Sequence, residues 1–296
     1  MYLISLDFDL GSLLFLSKLY YMNFIQLKKY YKDPSDKVNI ISVSAFLLKN
    51  SYKNIDLYYY GLNDLVESVP EYFPNFYLRI YFDSSLTKPK HEDEKLNEFI
   101  LTKWKPFLEK IKLYSYIQLV KFTSNEFKNN DFRHIGLFGT LIRLIPLFDY
   151  ADNMTNIVIV MDIDVTKIII EEKSKTFNLF MNSSSKFHFM TRYCYHISPR
   201  FVNVEQYLQE KYKPTIKLRI QAGSVISKIK FPKYIFDDFI NCLLHPEKNI
   251  CKYIEAFKYS ETSSSSDSSA SNSLDIILSY GIDEFFFNSV FLKCLE

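Results

Sequence analysis

The chain alternates short apolar runs with longer amphipathic stretches. Residues 38–48 (VNIISVSAFLL) are almost continuously apolar, which suits a strand covered on both faces. Residues 76–82 (FYLRIYF), 116–122 and 156–161 repeat that pattern, and 187–197 and 215–227 add two further strands. Helical periods lie between them. Residues 49–60 read as a Tyr-rich polar connection, and 61–69 as a short helix with Asn63 as N-cap, stopped by Pro70 and Pro74. Residues 92–112 are helical in pattern, with Pro106 breaking or kinking the helix. Residues 132–148 are helical up to Pro146. Residues 232–244 form a helix with Pro in its first turn, ended by His245-Pro246, and 282–295 form a closing helix.

Strand and helix alternate through the first 165 residues, which predicts an α/β fold with a mainly parallel central sheet flanked by helices. The C-terminal half is more mixed. The expected organisation is a helical segment at 1–37, an α/β half at 38–165 and a mixed half at 166–296, together one domain. Within the last part, 260–273 (SETSSSSDSSASNS) is too polar to bury and is expected to be a mobile, disordered loop. The first residues are apolar, but Asp7 and Asp9 precede the run and Lys18 interrupts it. There is no signal-peptide pattern, and the run is too short and polar for a transmembrane segment. Residues 20–31, rich in aromatics and lysine, read as a packing helix rather than a membrane-surface one.

Composition changes this picture only by exclusion. The 296 residues carry a formal net charge of +2, so charge gives no argument for nucleic acid as a partner. The four cysteines show no CxxC or Cys/His spacing, which argues against structural zinc and for a reducing, cytoplasmic setting.

The candidate chemistry centres on 156–165 (NIVIVMDIDV). An apolar strand runs directly into Asp162 and Asp164. Ligands of open α/β sheets sit beyond the carboxyl ends of strands, and positions i and i+2 of a strand point the same way. The pair therefore offers hard oxygens to Mn²⁺ or Mg²⁺ carrying a phosphorylated substrate, or else is an acidic turn. Four other segments have both a chemical and a structural reading. Arg79 and Asp83 lie in and at the end of FYLRIYFDSS, where Arg79 fits an ion pair and Asp83 fits a turn cap. Arg133, Gly136, Gly139 and Arg143 lie in RHIGLFGTLIRLIPLFD. The glycines permit close approach and Arg143 suits a diphosphate, or sits solvated on an amphipathic helix. Ala222-Gly223 interrupts the strand IQAGSVIS, as a plain bulge or a close ligand approach. Asp283, Glu284 and Asn288 gather at a helix start, where the dipole alone favours acids.

Taken in order, these segments resemble nucleotide-sugar-dependent glycosyltransferases of the A-type fold, close to the glycogenin-like kind and related viral and bacterial sugar transferases. The resemblance spans roughly 38 to 291 and rests on order and spacing. It implies that Asp162 and Asp164 hold the metal, Mn²⁺ or Mg²⁺, on the donor diphosphate, with a UDP-sugar favoured. Ser42, Ser44 and Ala45 would line the base pocket, Asp83 would face the nucleotide, and Arg133 and Arg143 would contact the donor phosphates or sugar. Gly223 would let the backbone pass close to the sugar, and Asp283 and Glu284 would lie by the donor sugar and acceptor as catalytic carboxylates. On this view 38–165 is the donor-binding half and 166–296 the acceptor side, the acceptor being a glycan, protein or lipid hydroxyl. If the source is a virus, the setting would be the host cytoplasm. The chain departs from the pattern in having Asp283-Glu284 for the usual Asp-Gln, Gln221 for the common Asn, and no histidine near its end to serve as third metal ligand. His245 reads as structural.

Two rival functions fit parts of the sequence. VMDIDVT matches the DxDxT strand of haloacid-dehalogenase-like phosphatases, with Asp162 as nucleophile and Asp164 as acid/base, and LDFDL at 6–10 is a weaker match. That reading needs a second acid pair at a strand end, whereas Asp237-Asp238 falls in a helical pattern. The other rival is a non-catalytic binding protein on the transferase fold.

Overall fold

The computed structural model describes residues 26–48, 54–88, 91–124, 138–150, 154–192, 219–244 and 282–291. Arg133, Gly136, His245 and the Ser-rich stretch at 260–273 lie outside them. One mixed sheet of seven strands organises the chain: β1 (Gln26–Lys29), β2 (Val38–Ala45), β3 (Phe76–Asp83), β4 (Ile117–Thr123), β5 (Thr155–Met161), β6 (Phe187–Arg192) and β7 (Arg219–Ser227). Their order across the sheet is β1-β4-β3-β2-β5-β7-β6. The four central strands are mutually parallel, while β1, β7 and β6 pair antiparallel. The α/β expectation with a mixed second half holds.

Strand alternation separates two cores. Ile41, Val43, Leu78, Ile80, Ile159 and Met161 meet a layer built from three helical units. These are α1 (Ile55–Tyr72), the α2 (Glu94–Phe99) to α3 (Lys105–Ile111) unit, and α5 (Lys167–Met181). Ile40, Val158, Val160 and Val225 meet the opposite layer of α4 (Phe138–Ile142), α6 (Lys233–Leu244) and α7 (Ile282–Phe285), dense in phenylalanine. There Phe148 and Phe236 stack at 5.0 Å and Phe231 meets Phe291 edge-on at 4.5 Å. Among the described residues no helix is long and apolar enough to cross a membrane.

Several boundaries differ from the sequence expectations. Residues 26–29, placed in a helical N-terminal segment, form the edge strand β1 on β4. Helix α1 starts at Asn54, not Asn63, because the Asn54 side chain accepts from the Asp56 amide at 3.1 Å. Pro70 does not stop it. Proline removes the donor that would reach the Val66 carbonyl, and the Tyr116 hydroxyl donates to that carbonyl instead, at 3.0 Å. Pro106 does not break its helix either. The chain passes through a π-turn, Ile100–Trp104, in which the Lys105 amide reaches back to the Ile100 carbonyl, and then resumes as α3. Helix α5 was not anticipated. Ile170, Ser174 and Phe177 face inward at helical spacing, but Ile168, Ile169 and Leu179 are exposed and blur the period.

One buried carboxylate makes stability depend on pH. Asp237 on α6 accepts a 2.5 Å hydrogen bond from the Tyr150 hydroxyl. Burial raises its pKa from 3.8 to about 6, and the Tyr150 bond only partly offsets that. The folded state therefore keeps a proton that the unfolded chain releases nearer 3.8, so its stability falls as pH rises through about 6. Asp237→Asn keeps an acceptor for Tyr150 without the charge. Urea unfolding should find the variant more stable at pH 8 by on the order of 1–2 kcal/mol and equal to the parent near pH 4. An unchanged difference across that range would remove Asp237 as the cause.

Candidate functional site

The strand order sets where a ligand can bind. From β2 the chain moves to β3 and β4 on one side and returns to β5 on the other, so the topological switch lies between β2 and β5. In open α/β sheets the crevice at the carboxyl ends of such strands is the usual ligand site. Asp162 and Asp164 follow β5 directly, and Ser44 and Ala45 end β2 beside them. The sequence expectation for the acidic pair is met in position.

Six polar residues in or just after the central strands share one face. Ser42 and Ser44 keep the phase of Ile40, Arg79 and Asp83 that of Tyr81, Gln118 that of Val120, and Asp162 that of Val160, all toward the α4/α6/α7 layer. At the centre stands Arg143, just past α4 and almost fully buried. Its Nη1 donates to the Met161 carbonyl at 3.0 Å and to Asp162 Oδ1 at 2.5 Å. Its Nη2 donates to Asp283 Oδ2 at 2.7 Å. Burial disfavours the guanidinium charge, but Asp162, Asp283 and Asp164 outweigh it and raise the pKa. Its Nε is buried with no hydrogen-bond partner among the described residues. Asp283 is buried at the start of α7. Its pKa is raised by burial, an effect Arg143 opposes and Asp162 reinforces. Its Oδ1 accepts from the Glu284 amide at 3.0 Å, and Glu284 itself is half-buried.

The remaining sequence candidates divide. Ser42 is fully buried and donates to the Arg143 carbonyl at 2.7 Å, so it positions Arg143 and does not line a pocket. Ser44 is buried at the β2 end. Asp83 is fully buried and caps the 3₁₀ turn Ser84–Leu86, accepting from the Ser85 amide at 2.6 Å. The turn-cap reading of Asp83 is the one realised. Arg79 donates to Gln118 at 2.9 Å and lies over the Tyr31 ring, so its partners are an amide and an aromatic face, not a carboxylate. Gly139 packs α4 against Phe46, where a Cβ would overlap the ring. Gly223 lies against Asp162, where a Cβ would overlap the carboxylate. Asp237 and Asp238 sit within α6 and not at a strand end, so the acid pair of the phosphatase reading is not formed there.

Sequence reasoning missed two contributors. Gly61 lets α1 pass over the loop after β5, and a Cβ there would overlap the Ile163 carbonyl. The sequence reading put Gly61 at the first residue of its helix, where a glycine carries no packing signal. Lys173 on α5 donates to the Gly223 carbonyl at 2.5 Å, and no local pattern marked it.

Asp162 and Asp164 are hard carboxylates at the strand end, and with Asp283 they supply three acids acting on one guanidinium. Of these, Asp162 and Asp164 fit a hard cation whose remaining ligands are substrate oxygens and water. Among the described residues no cluster of three His, Cys, Asp or Glu side chains would hold a metal alone. No known family, curated protein or solved structure matches the chain.

Gly61→Ala tests whether α1 sets the loop. Alanine is the better helix former by about 1 kcal/mol, yet the new methyl meets backbone that cannot turn aside. The expected result in urea unfolding is a net loss on the order of 1–3 kcal/mol. A gain in stability would show the loop to be free of α1.

Proposed function

We propose that this chain is a metal-dependent glycosyltransferase that moves a sugar from a nucleotide-diphosphate donor, most readily a UDP-sugar, to an acceptor hydroxyl. The observation that carries the reading is the Arg143 guanidinium joined to Asp162 and Asp283 at the switch point between β2 and β5. Two carboxylates and a fixed cation at one strand end are the residue types that diphosphate departure requires. The order of motifs along the chain supports the same reading, and the mixed α/β sheet is compatible with an A-type transferase domain.

Each residue has a physical task. Asp162 and Asp164 hold a divalent cation, Mn²⁺ or Mg²⁺, which when bound supplies Lewis-acid stabilisation of the leaving diphosphate. Arg143 supplies a fixed cation beside Asp162, and its burial strengthens its electrostatic effect by keeping water away. Asp283 has both oxygens engaged and serves to hold Arg143. Glu284, next in the chain and half-buried, would accept the acceptor's proton in an inverting displacement. A retaining enzyme needs no such base, so the anomer of the product assigns or dismisses this role of Glu284.

A thermal-shift panel of UDP-, GDP- and CMP-sugars with and without Mn²⁺ tests the proposal. One donor should raise the melting temperature only when Mn²⁺ is present, with about 2.7 kcal/mol of stabilisation at 100-fold excess over its Kd. Asp164→Ala should abolish that gain while leaving the Arg143–Asp162 contact in place. A panel in which no nucleotide sugar stabilises the protein would overturn the reading.

A further inference from the structure

Strand β7 carries a deformation whose purpose lies outside the sheet. Its pairing with β6 shifts register: Phe189 faces Val225, but Thr191, two residues on, faces Ile220, five residues back. The extra length bulges at 221–224. Ala222 and Val225 both reach the same core despite their odd spacing, as a bulge demands. The Gly223 peptide at its crest links two layers. Its carbonyl accepts from Lys173 Nζ at 2.5 Å and from Ser224 Oγ at 2.7 Å. Its α-carbon lies against the Asp162 carboxylate so closely that no side chain fits between them.

On α5, Lys167 pairs with Glu71 and Lys175 with Glu171 at exposed positions. Lys173 is half-buried and donates to the Gly223 carbonyl. Helix α5 begins three residues after Asp164, so the element that leaves the acidic loop sends a cation back to fix the wall facing Asp162.

We propose that Lys173 is a positioning residue for Asp162: by clamping the Gly223 bulge it fixes the orientation in which that carboxylate meets a divalent cation. This rests on the reading of Asp162 and Asp164 as metal ligands. Residues that orient a metal ligand from behind commonly govern affinity by about 10–100-fold. Two effects of removing Lys173 have opposite signs. Loss of a positive charge beside carboxylates strengthens cation binding, whereas release of the bulge weakens it. The sign of the change therefore separates positioning from simple charge.

The experiment is a titration of Mn²⁺, alone and with saturating UDP, followed by electron paramagnetic resonance of the free ion. It uses the full chain and its Lys173→Met, Lys173→Arg and Ser224→Ala variants. Lys173→Met should weaken Mn²⁺ binding about tenfold while the melting temperature without metal stays unchanged, and Lys173→Arg should recover most of the loss. Ser224→Ala, which removes only the second donor to the same carbonyl, should weaken binding to a lesser degree and serves as the test if Lys173→Met does not fold. Unchanged or tighter binding by Lys173→Met, or by Ser224→Ala when it alone folds, overturns the role of Lys173. A parent chain that binds no Mn²⁺ in either condition overturns the metal reading itself, and this proposal with it.

Discussion

A charged guanidinium inside a protein must be met by carboxylates and carbonyls, or the charge costs several kcal/mol. Arg143 imposes that condition here. It is nearly inaccessible, and its partners come from the end of β5 and the start of α7, 140 residues away in sequence from Arg143. The backbone that carries it is tied in turn to β2, through the Ser42 hydroxyl. Three distant segments therefore converge on one point of the sheet's edge. Removing one partner of such a group generally costs about 3–5 kcal/mol, because the remainder is left buried and uncompensated. The arrangement sits past the carboxyl ends of the paired strands β2 and β5, where the chain order switches direction.

The two faces of the sheet are unequal for the same reason. Toward α1, α3 and α5 the central strands β2, β3 and β5 present Ile41, Val43, Leu78, Ile80, Ile159 and Met161, and that core is filled by aliphatic and aromatic groups. Toward α4, α6 and α7 the strands mix Ile40 and Val160 with Ser42, Ser44, Arg79, Asp83, Gln118 and Asp162. Most of these polar groups satisfy one another or a backbone atom, as burial requires. The Arg143 Nε does not. A structural face would gain from replacing that donor; a face that meets an anionic ligand has reason to keep it.

The central strands were legible because each is a long apolar run, and the acidic pair was legible because it interrupts such a run at its end. What failed was local chemistry whose partner lies far away. Pro70 reads as a stop, but Tyr116 stands opposite the carbonyl it frees, 50 residues on. Asp83 alone reads as a turn cap and only the resemblance made it a nucleotide contact, and the Ser85 amide now stands against its carboxylate. Helix α5 shows three exposed apolar residues, and a pattern reading has no means to know they face outward. The joining of Arg143 to Asp283 is invisible for the same reason. Each residue alone has an ordinary explanation on a helix, and only the sheet order brings them together.

That joining also fixes how Asp162 packs. Its Oδ1 accepts from Arg143. Gly223 packs against Oδ2, and a side chain there would overlap the carboxylate itself. The glycine of the β7 bulge is thus explained by the same carboxylate that explains the buried arginine. One oxygen of Asp162 is neutralised by Arg143 and the other is packed by the Gly223 backbone. A single aspartate thereby ties the buried arginine to the bulge of β7.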